Sequence, residues 1–113
     1  EVEMKLHRYE DTATFPFGHL LVRDMVPEGL EGLSIAAIEA PIGADNPPYA
    51  AASADKVYVG ITGDIEFHSG EETARVRRGD VLVVRAGETY SYHNGGYEMG
   101  RLLLLQIPPE AGS

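Results

Sequence analysis

Short runs of apolar residues, many of them alternating with polar ones, recur along the chain between glycines and prolines. Alternation with a period of two is typical of β-strands that have one buried and one solvated face. Runs that repeat about every ten residues favour an antiparallel sandwich or barrel. Pro16, Pro47, Pro48 and Gly60 are among the residues interpreted as turns. The sequence therefore predicts an all-β fold, with strands in HLLVRDMV, LSIAAIEA, KVYVGITGDIEFH, TARVR, DVLVVRA, TYSYHN and RLLLLQI.

The run RLLLLQI, at residues 101–107, departs from this alternation. Four consecutive leucines predict that the strand is covered on both faces, by the core on one side and by another sheet or subunit on the other. We therefore expect a homodimer in which the surface at Leu102 to Leu105 is covered. The first dozen residues, EVEMKLHRYEDT, are compatible with either a strand or a loose arm.

The length and composition indicate one globular domain spanning residues 1–113. The chain has 113 residues, of which 43% are hydrophobic and 24% charged, the proportions of an ordinary globular protein. Its net charge of −9 argues against nucleic acid or an anionic membrane as the main partner, because phosphate binding needs clustered cations. The one basic cluster, ARVRR, is balanced by the neighbouring GEE and is typical of a solvated strand face.

The absence of cysteine and of long apolar stretches limits the chemistry and the location. Without cysteine there are no disulfides, thiolate nucleophiles or cysteine-ligated metal sites. No stretch approaches the roughly 18 to 20 apolar residues of a membrane span. The N-terminus lacks the basic region followed by an apolar stretch that marks a signal peptide. We expect a cytoplasmic protein with no membrane partner.

Glycines and a few other residues stand at fixed spacings in two segments. The first segment contains Gly43, Tyr49, Ala51, Lys56 and Gly63. The second contains Gly79, Arg85, Gly87, Tyr90 and Asn94. This spacing resembles the two-part motif of the cupin superfamily and covers about residues 33–107. The resemblance implies a double-stranded β-helix, or jelly-roll, barrel that encloses one ligand cavity.

The positions that bind metal in cupins are substituted in this chain. Where the family places two histidines, a glutamate and a third histidine, the chain has Tyr49, Ala51, Lys56 and Tyr90. An alanine offers no lone pair, a protonated lysine repels a cation, and phenols are poor ligands near neutral pH. We therefore predict that the protein has no metal site and needs no cofactor.

The four histidines are the other candidate metal ligands. His7, His19, His68 and His93 are far apart in the sequence and show no short ligand spacing. Alternation turns His93 away from the cavity if Tyr90 points inward. A displaced metal site built from these histidines stays an alternative.

Strand alternation predicts that a group of polar side chains shares the barrel interior. The predicted ligand-binding residues are Tyr49, Tyr58, Tyr92 and Asn94, whose rings and polar groups would stack on a flat ligand and orient its oxygens. The predicted catalytic residues are Lys56 and Tyr90. An amine shielded from water gives up its proton more readily and can act as a base or nucleophile, while a tyrosine can donate a proton to an enolate oxygen.

Three functions are compatible with this cavity. The first is a metal-independent isomerase, cyclase or lyase that acts on an apolar, oxygen-bearing small molecule; the resemblance to cupins of secondary metabolism implies such tailoring reactions. The second is a binding or sensing module with the same cavity and no turnover. The third is a metal-dependent dioxygenase or isomerase with unusual ligands.

Overall fold

The computed structural model describes residues 4–50 and 54–107, and the side chains of all of these except residues 47–50. Ten strands account for most of this part of the chain. They are β1 (Thr14–Phe17), β2 (Leu20–Asp24), β3 (Ser34–Ala40), β4 (Asp45–Ala50), β5 (Asp55–Thr62), β6 (Ile65–Ser69), β7 (Glu72–Val76), β8 (Val81–Val84), β9 (Thr89–His93) and β10 (Gly100–Ile107).

The strands form two antiparallel sheets. The larger sheet has the order β1-β2-β3-β10-β5-β8, and the smaller has the order β4-β9-β6-β7. The prediction of an all-β fold is confirmed, and each predicted run overlaps at least one strand. Long crossovers between strands that are adjacent in space, such as β3 with β10, are the connections of a jelly roll.

The core lies between the two sheets. Alternation along β5 buries Lys56, Tyr58 and Gly60 and leaves the intervening valines partly exposed. The larger sheet contributes Leu20, Ile38 and Leu102, and the smaller sheet contributes aromatic and aliphatic side chains. Those from the smaller sheet are Ile65, Phe67, Val76, Tyr90 and Tyr92. The inner faces of both sheets therefore form one continuous core.

Gly63 marks the tight turn between β5 and β6. Its φ is +85°, and a β-carbon built on it would lie 2.8 Å from the α-carbon of Gly100. Only glycine combines this left-handed backbone with so close an approach. The turn between β5 and β6 therefore requires the glycine that the cupin-like motif has at this position.

The described part of the N-terminal segment, residues 4–13, is an arm rather than a strand, and its one regular element is the 3₁₀ turn Tyr9–Asp11. No helix among the described residues is long and apolar enough to cross a membrane. The Tyr9 hydroxyl donates a short hydrogen bond to Glu39 on β3. The guanidinium of Arg23 lies 4.2 Å from the centre of the Tyr9 ring and also bonds Glu39. These contacts hold the arm against the outer face of the larger sheet.

This clamp predicts a dependence of stability on pH. The hydrogen bond from Tyr9 holds the pKa of Glu39 below its ordinary value of 4.5, although burial acts in the opposite direction. A carboxyl group whose pKa is lowered by folding stabilises the fold above its unfolded pKa and loses that contribution as pH falls. We expect Glu39→Gln to lower the free energy of unfolding at pH 7 and to flatten its decline below about pH 4.5.

Urea denaturation at several pH values tests this expectation. The matched control is Glu71→Gln, which removes a carboxylate from the exposed turn between β6 and β7. If the free energy of unfolding of Glu39→Gln falls with decreasing pH as steeply as that of the wild type, the clamp does not contribute to the loss of stability in acid.

The outer face of the larger sheet carries two apolar rows. Cross-strand pairing aligns Val83, Val57, Leu105 and Ile35 in one row. It aligns Val81, Val59, Leu103 and Ala37 in the next. Leu102 and Leu104 are buried in the core, whereas Leu103 and Leu105 keep part of their surface exposed. The leucine run is thus buried on one face and partly exposed on the other in the single chain.

The homodimer stays a prediction, and these rows are the surface that it would cover. Val81 and Val83 are 61% and 52% exposed, so the single chain leaves neighbouring apolar side chains in contact with water. We expect light scattering to give the mass of a dimer, and Val83→Lys to give the mass of a monomer. Thr73→Lys, which adds the same charge to an exposed position on the smaller sheet, should leave the mass unchanged. A monomeric wild-type protein would remove the prediction.

Candidate ligand cavity

A cavity of about 340 Å³ lies between the sheets and is bordered by strands β1, β2, β3, β5, β9 and β10. Most of its wall is apolar, since inward-facing positions on the larger sheet carry aliphatic and aromatic residues. This apolar wall includes Phe15, Phe17, Leu20, Val22, Ile38 and Leu104. The volume is within the range of small-molecule sites, which combine an apolar wall with a few polar groups.

The polar groups of the wall come from five strands. They are Asp24, Ser34, Lys56, Tyr58, Tyr92 and Gln106. Sequence reasoning identified three of these as site residues, namely Lys56, Tyr58 and Tyr92. It missed Asp24, Ser34 and Gln106, which lie at the ends of β2, β3 and β10. Strand alternation could have identified them, because each is an even number of residues from a buried apolar position on its own strand and therefore shares its inward face.

Lys56 and Tyr58 share the inner face of β5. The lysine is 4% exposed and the tyrosine is fully buried. The Lys56 ammonium lies 5.9 Å from the centre of the Tyr90 ring, within reach of a cation–π interaction. A charged side chain is rarely buried in this way unless its surroundings compensate it. The cavity wall therefore combines an amine and a phenol two residues apart.

Tyr58 and Tyr90 form a hydroxyl pair across the core. Their oxygens are 2.5 Å apart, and either hydroxyl can be the donor. Tyr58 borders the cavity, whereas Tyr90 lies behind it, on β9, and borders a smaller depression near β6 and β8. The sequence interpretation gave Tyr90 the role of the proton donor. Of the pair, Tyr58 is the residue that borders the cavity, and the catalytic role of Tyr90 stays a prediction.

Four aromatic rings form a cluster in the core, and two of them, Tyr58 and Tyr92, border the cavity. Tyr58 lies 5.0 Å from Phe67 and 5.7 Å from Tyr92, measured between ring centres. Phe67 and Tyr92 are 4.7 Å apart, and the Phe67 and Tyr90 rings are stacked. Such edge and stacked contacts fix the ring orientations in a packed core. Sequence reasoning missed Phe67, although alternation along DIEFH places it inward.

Asn94 has a structural role, which corrects the expectation that it faces the cavity. Its side-chain nitrogen donates hydrogen bonds to the carbonyl oxygens of Ala40, at 2.8 Å, and Glu98, at 2.9 Å. Its side-chain oxygen accepts a hydrogen bond from the backbone N–H of Gly96 at 3.0 Å. The side chain is fully buried and does not border the cavity. Asn94 therefore ties the end of β3 to the loop before β10.

The candidates in the first motif segment are only partly described. The backbone of Tyr49 pairs with that of Tyr90 across β4 and β9, and the side chain of Tyr49 lies outside the described part of the structure. Ala51 lies outside it entirely. The expectation that Tyr49 binds ligand stays a prediction.

The residues at the cupin metal positions do not suit a divalent ion. Lys56 brings a positive charge, and the Tyr90 hydroxyl is hydrogen-bonded to Tyr58. Within residues 4–50 and 54–107, no group of three or more histidine or acidic side chains is arranged to hold a metal ion. The absence of a metal site stays a prediction.

Three of the four histidines border one surface depression outside the cavity. These are His19 in the turn between β1 and β2, His68 on β6 and His93 on β9. His68 pairs with Glu66 at 2.9 Å, and His93 lies 3.6 Å from Asp45. His7 contacts Glu28 instead, at 3.1 Å, and is separate from this group. His7, His68 and His93 thus each have a carboxylate beside the imidazole.

Comparison with solved structures identifies the fold. The cupin domain of Cnp3 from Schizosaccharomyces pombe superposes with a TM-score of 0.78 and 21% identity, over 89% of this chain and 72% of that one. A predicted oxalate decarboxylase from Thermotoga maritima gives a TM-score of 0.82 with 16% identity, over 92% and 99%. The polyketide cyclase RemF from Streptomyces resistomycificus gives 0.82 with 17% identity, over 96% and 83%.

These similarities define the chain as a protein with the cupin fold, and the resemblance inferred from the glycine spacing is confirmed at that level. No known family profile matches the sequence, and no curated protein is significantly similar to it. At this degree of identity the fold is shared, whereas the chemistry has to be argued from the cavity.

Proposed function

We propose that this protein binds an apolar, oxygen-bearing small molecule in the central cavity and transfers a proton next to a carbonyl group of that molecule, without a metal ion. The observation that carries the proposal is the pair of buried side chains of Lys56 and Tyr58, two residues apart on the inner face of β5, in a mostly apolar cavity wall. The reaction class is isomerisation, cyclisation or elimination, because each of these begins by removing a proton from a carbon next to a carbonyl.

The cavity suits a flat, largely apolar ligand. Phe15 and Phe17 border it from β1, and Tyr58 and Tyr92 border it from β5 and β9. Aromatic faces bind flat, unsaturated molecules through dispersion and ring contacts. The few polar groups then decide the orientation of the ligand rather than the strength of binding.

In the proposed step, the Lys56 ammonium first releases a proton to water, and the resulting amine takes a proton from the carbon next to the carbonyl. The electrons of that C–H bond form a carbon–carbon double bond, and the carbonyl electrons move to oxygen. The Tyr58 hydroxyl donates a hydrogen bond to this developing negative charge. Return of the proton from Lys56 to a different carbon re-forms the carbonyl and completes an isomerisation. The product therefore has the same atoms and the same charge as the substrate.

Tyr90 acts through Tyr58 as a positioning residue. Two hydroxyl groups carry two protons, and the hydrogen bond between them uses one. When Tyr90 is the donor, the Tyr58 oxygen is fixed and Tyr58 can direct its own proton to an acceptor on the ligand. Removal of the Tyr90 hydroxyl should therefore weaken the catalytic effect of Tyr58 without removing it.

The name of one structurally similar protein agrees with this chemistry. RemF is named as a polyketide cyclase, and polyketides are chains rich in carbonyl groups. We extend this to our chain only as a proposed substrate class, namely carbonyl compounds of the type handled in secondary metabolism.

Deuterium exchange into simple ketones tests the proposed activity, because the proton-transfer step needs only a carbonyl compound that fits the cavity. The purified protein is incubated in D₂O with 1-tetralone, acetophenone and cyclohexanone, and loss of the signals from hydrogens next to the carbonyl is followed by proton NMR. We expect exchange of at least one ketone to be accelerated. Elemental analysis of the same sample separates metal-free catalysis from a metal-dependent reaction.

A binding module without turnover is the alternative function, and the same spectra distinguish it. Saturation transfer from the protein to a ketone, with no acceleration of exchange across the panel, would support binding alone. An activity that disappears with a chelator and returns with an added ion would support the metal-dependent alternative.

A further inference from the structure

A strip of polar side chains crosses the larger sheet at one end of the cavity. Ser34 on β3 pairs with Gln106 on β10, which pairs in turn with Lys56 on β5. Asp24 borders the same cavity from β2, one row further in, where it pairs with Ala36. Leu104 and Tyr58 continue that inner row on β10 and β5. The strip of Ser34, Gln106 and Lys56 is therefore a boundary of the cavity, and most of the side chains in the next row are apolar.

The strip has an ammonium on β5 and two neutral hydrogen-bonding groups beside it, on β10 and β3. The Asp24 carboxylate lies on β2, one row away from Ser34. Side chains of cross-strand neighbours have β-carbons about 5 Å apart, so adjacent groups can contact neighbouring atoms of one small ligand. The strip can thus bind two polar substituents of one ligand at the same time.

Gln106 carries the decisive observation. Its side-chain oxygen is buried and has no hydrogen-bond partner among the described residues. The residue borders the cavity and shares the inward face of β10 with Leu102 and Leu104. Buried acceptors without partners are rare in native proteins because their desolvation is uncompensated. A ligand that donates a hydrogen bond here would satisfy this oxygen.

We infer that the strip selects ligands that carry an acidic or enolic oxygen at one position and a hydrogen-bond donor, a hydroxyl or amino group, at a neighbouring position. The acidic oxygen lies at Lys56 and the donor at Gln106, on the side of the strip that leads toward Asp24. This inference rests on the proposed function for the location of the ligand and adds the class of ligand. Hydroxy- and amino-substituted aromatic acids are members of that class.

Three aromatic acids test the inference. The wild-type protein is titrated with 3-hydroxybenzoate, 3-methoxybenzoate and benzoate, and binding is measured by calorimetry and by shifts of amide NMR signals. Because 3-methoxybenzoate has an oxygen at the same position but cannot donate, it isolates the donor. We expect 3-hydroxybenzoate to bind about tenfold more tightly than either of the others.

Variants of Gln106 assign the preference to this residue. Gln106→Met removes the acceptor at similar size, and we expect it to abolish the preference while leaving benzoate binding within about twofold. Gln106→Glu keeps an acceptor and should keep the preference for the donor over the methoxy group. Leu105→Met, on the outer face of the same strand, is the matched control and should bind all three acids as the wild type does.

The inference is overturned if wild-type protein binds 3-hydroxybenzoate no better than 3-methoxybenzoate, or binds none of the acids at about 1 mM. It is also overturned if Gln106→Met, folded by its amide spectrum, keeps the preference. These results would leave the proposed proton transfer standing, since ketone exchange that depends on Lys56 is measured separately. If the protein does not accelerate ketone exchange but still prefers 3-hydroxybenzoate, only the proposed proton transfer is overturned.

Discussion

Lys56→Met is expected to reduce protein-catalysed deuterium exchange of the responsive ketone by about 10²- to 10⁴-fold, the usual contribution of a general base. Methionine keeps the length and apolar stem of lysine and removes the amine. Replacing a buried charge by an apolar side chain of similar size is often neutral or stabilising, so the variant should unfold at or above the wild-type temperature. The exchange rate by proton NMR and the unfolding temperature by circular dichroism are the two measurements.

The comparison variants separate the roles of the three cavity groups. Lys5→Met removes the other lysine of the chain, which is 65% exposed on the N-terminal arm, and should exchange as the wild type does. Tyr58→Phe should reduce exchange more than Tyr90→Phe, because Tyr58 borders the cavity and Tyr90 stands behind it. A Lys56→Met protein that exchanges within about threefold of the wild type would exclude the lysine as the base.

Gly60→Ala is expected to destabilise the fold by at least about 3 kcal/mol, enough to lower the unfolding temperature by more than about 10 °C. A β-carbon at Gly60 would lie 2.0 Å from the carbonyl oxygen of Arg77, inside any allowed contact distance. The obstacle is backbone rather than a movable side chain. The same glycine accepts a hydrogen bond from Gly79 and donates one to Asp80, both at 2.9 Å, so the two segments cannot move apart without losing these bonds.

Gly95→Ala is the matched control for this substitution. A β-carbon there would lie 3.4 Å from the His93 ring, an ordinary contact, and the backbone of Gly95 has a conformation open to alanine. Thermal unfolding followed by circular dichroism should give nearly the wild-type midpoint for Gly95→Ala and a much lower one for Gly60→Ala. Equal midpoints would mean that the turn after β7 relaxes at little cost.

Gly60 also illustrates what the sequence could and could not predict about the fold. Hydrophobic alternation identified most of the strands, because one face of each is buried. Gly60 was interpreted as a turn, whereas it lies inside β5, where the Arg77 backbone passes over it. A glycine required by close approach and a glycine required by a turn look the same in a single sequence.

The two strands that alternation did not predict both contain proline. Pro16 lies in β1 and Pro47 and Pro48 lie in β4, and each of these is the edge strand of its sheet. Proline is tolerated at an edge because the missing N–H faces no partner strand. The pairing of β4 with β9 shifts register between Asn46 and Tyr49, around the two prolines. Edge position is a property of the assembled sheet, so the sequence alone could not reveal it.

The candidate site was predictable where it depended on parity within one strand. Lys56 and Tyr58 are two residues apart and share a wall, as alternation predicts. The expectation for Asn94 failed because it follows β9, where the chain turns and the side chain bonds three backbone groups. Gln106 and Ser34 were missed because their proximity to Lys56 is set by cross-strand register, which only the tertiary structure fixes.

The alternation along β5 has a consequence for how this protein can change over evolutionary time. Inserting or deleting one residue within the strand would evert the site, carrying the amine of Lys56 to the outside and turning Val57 inward. Variation in length is therefore confined to the turns. New ligand preferences would arise by exchanging side chains at fixed inward positions, while the framework that holds them is inherited intact.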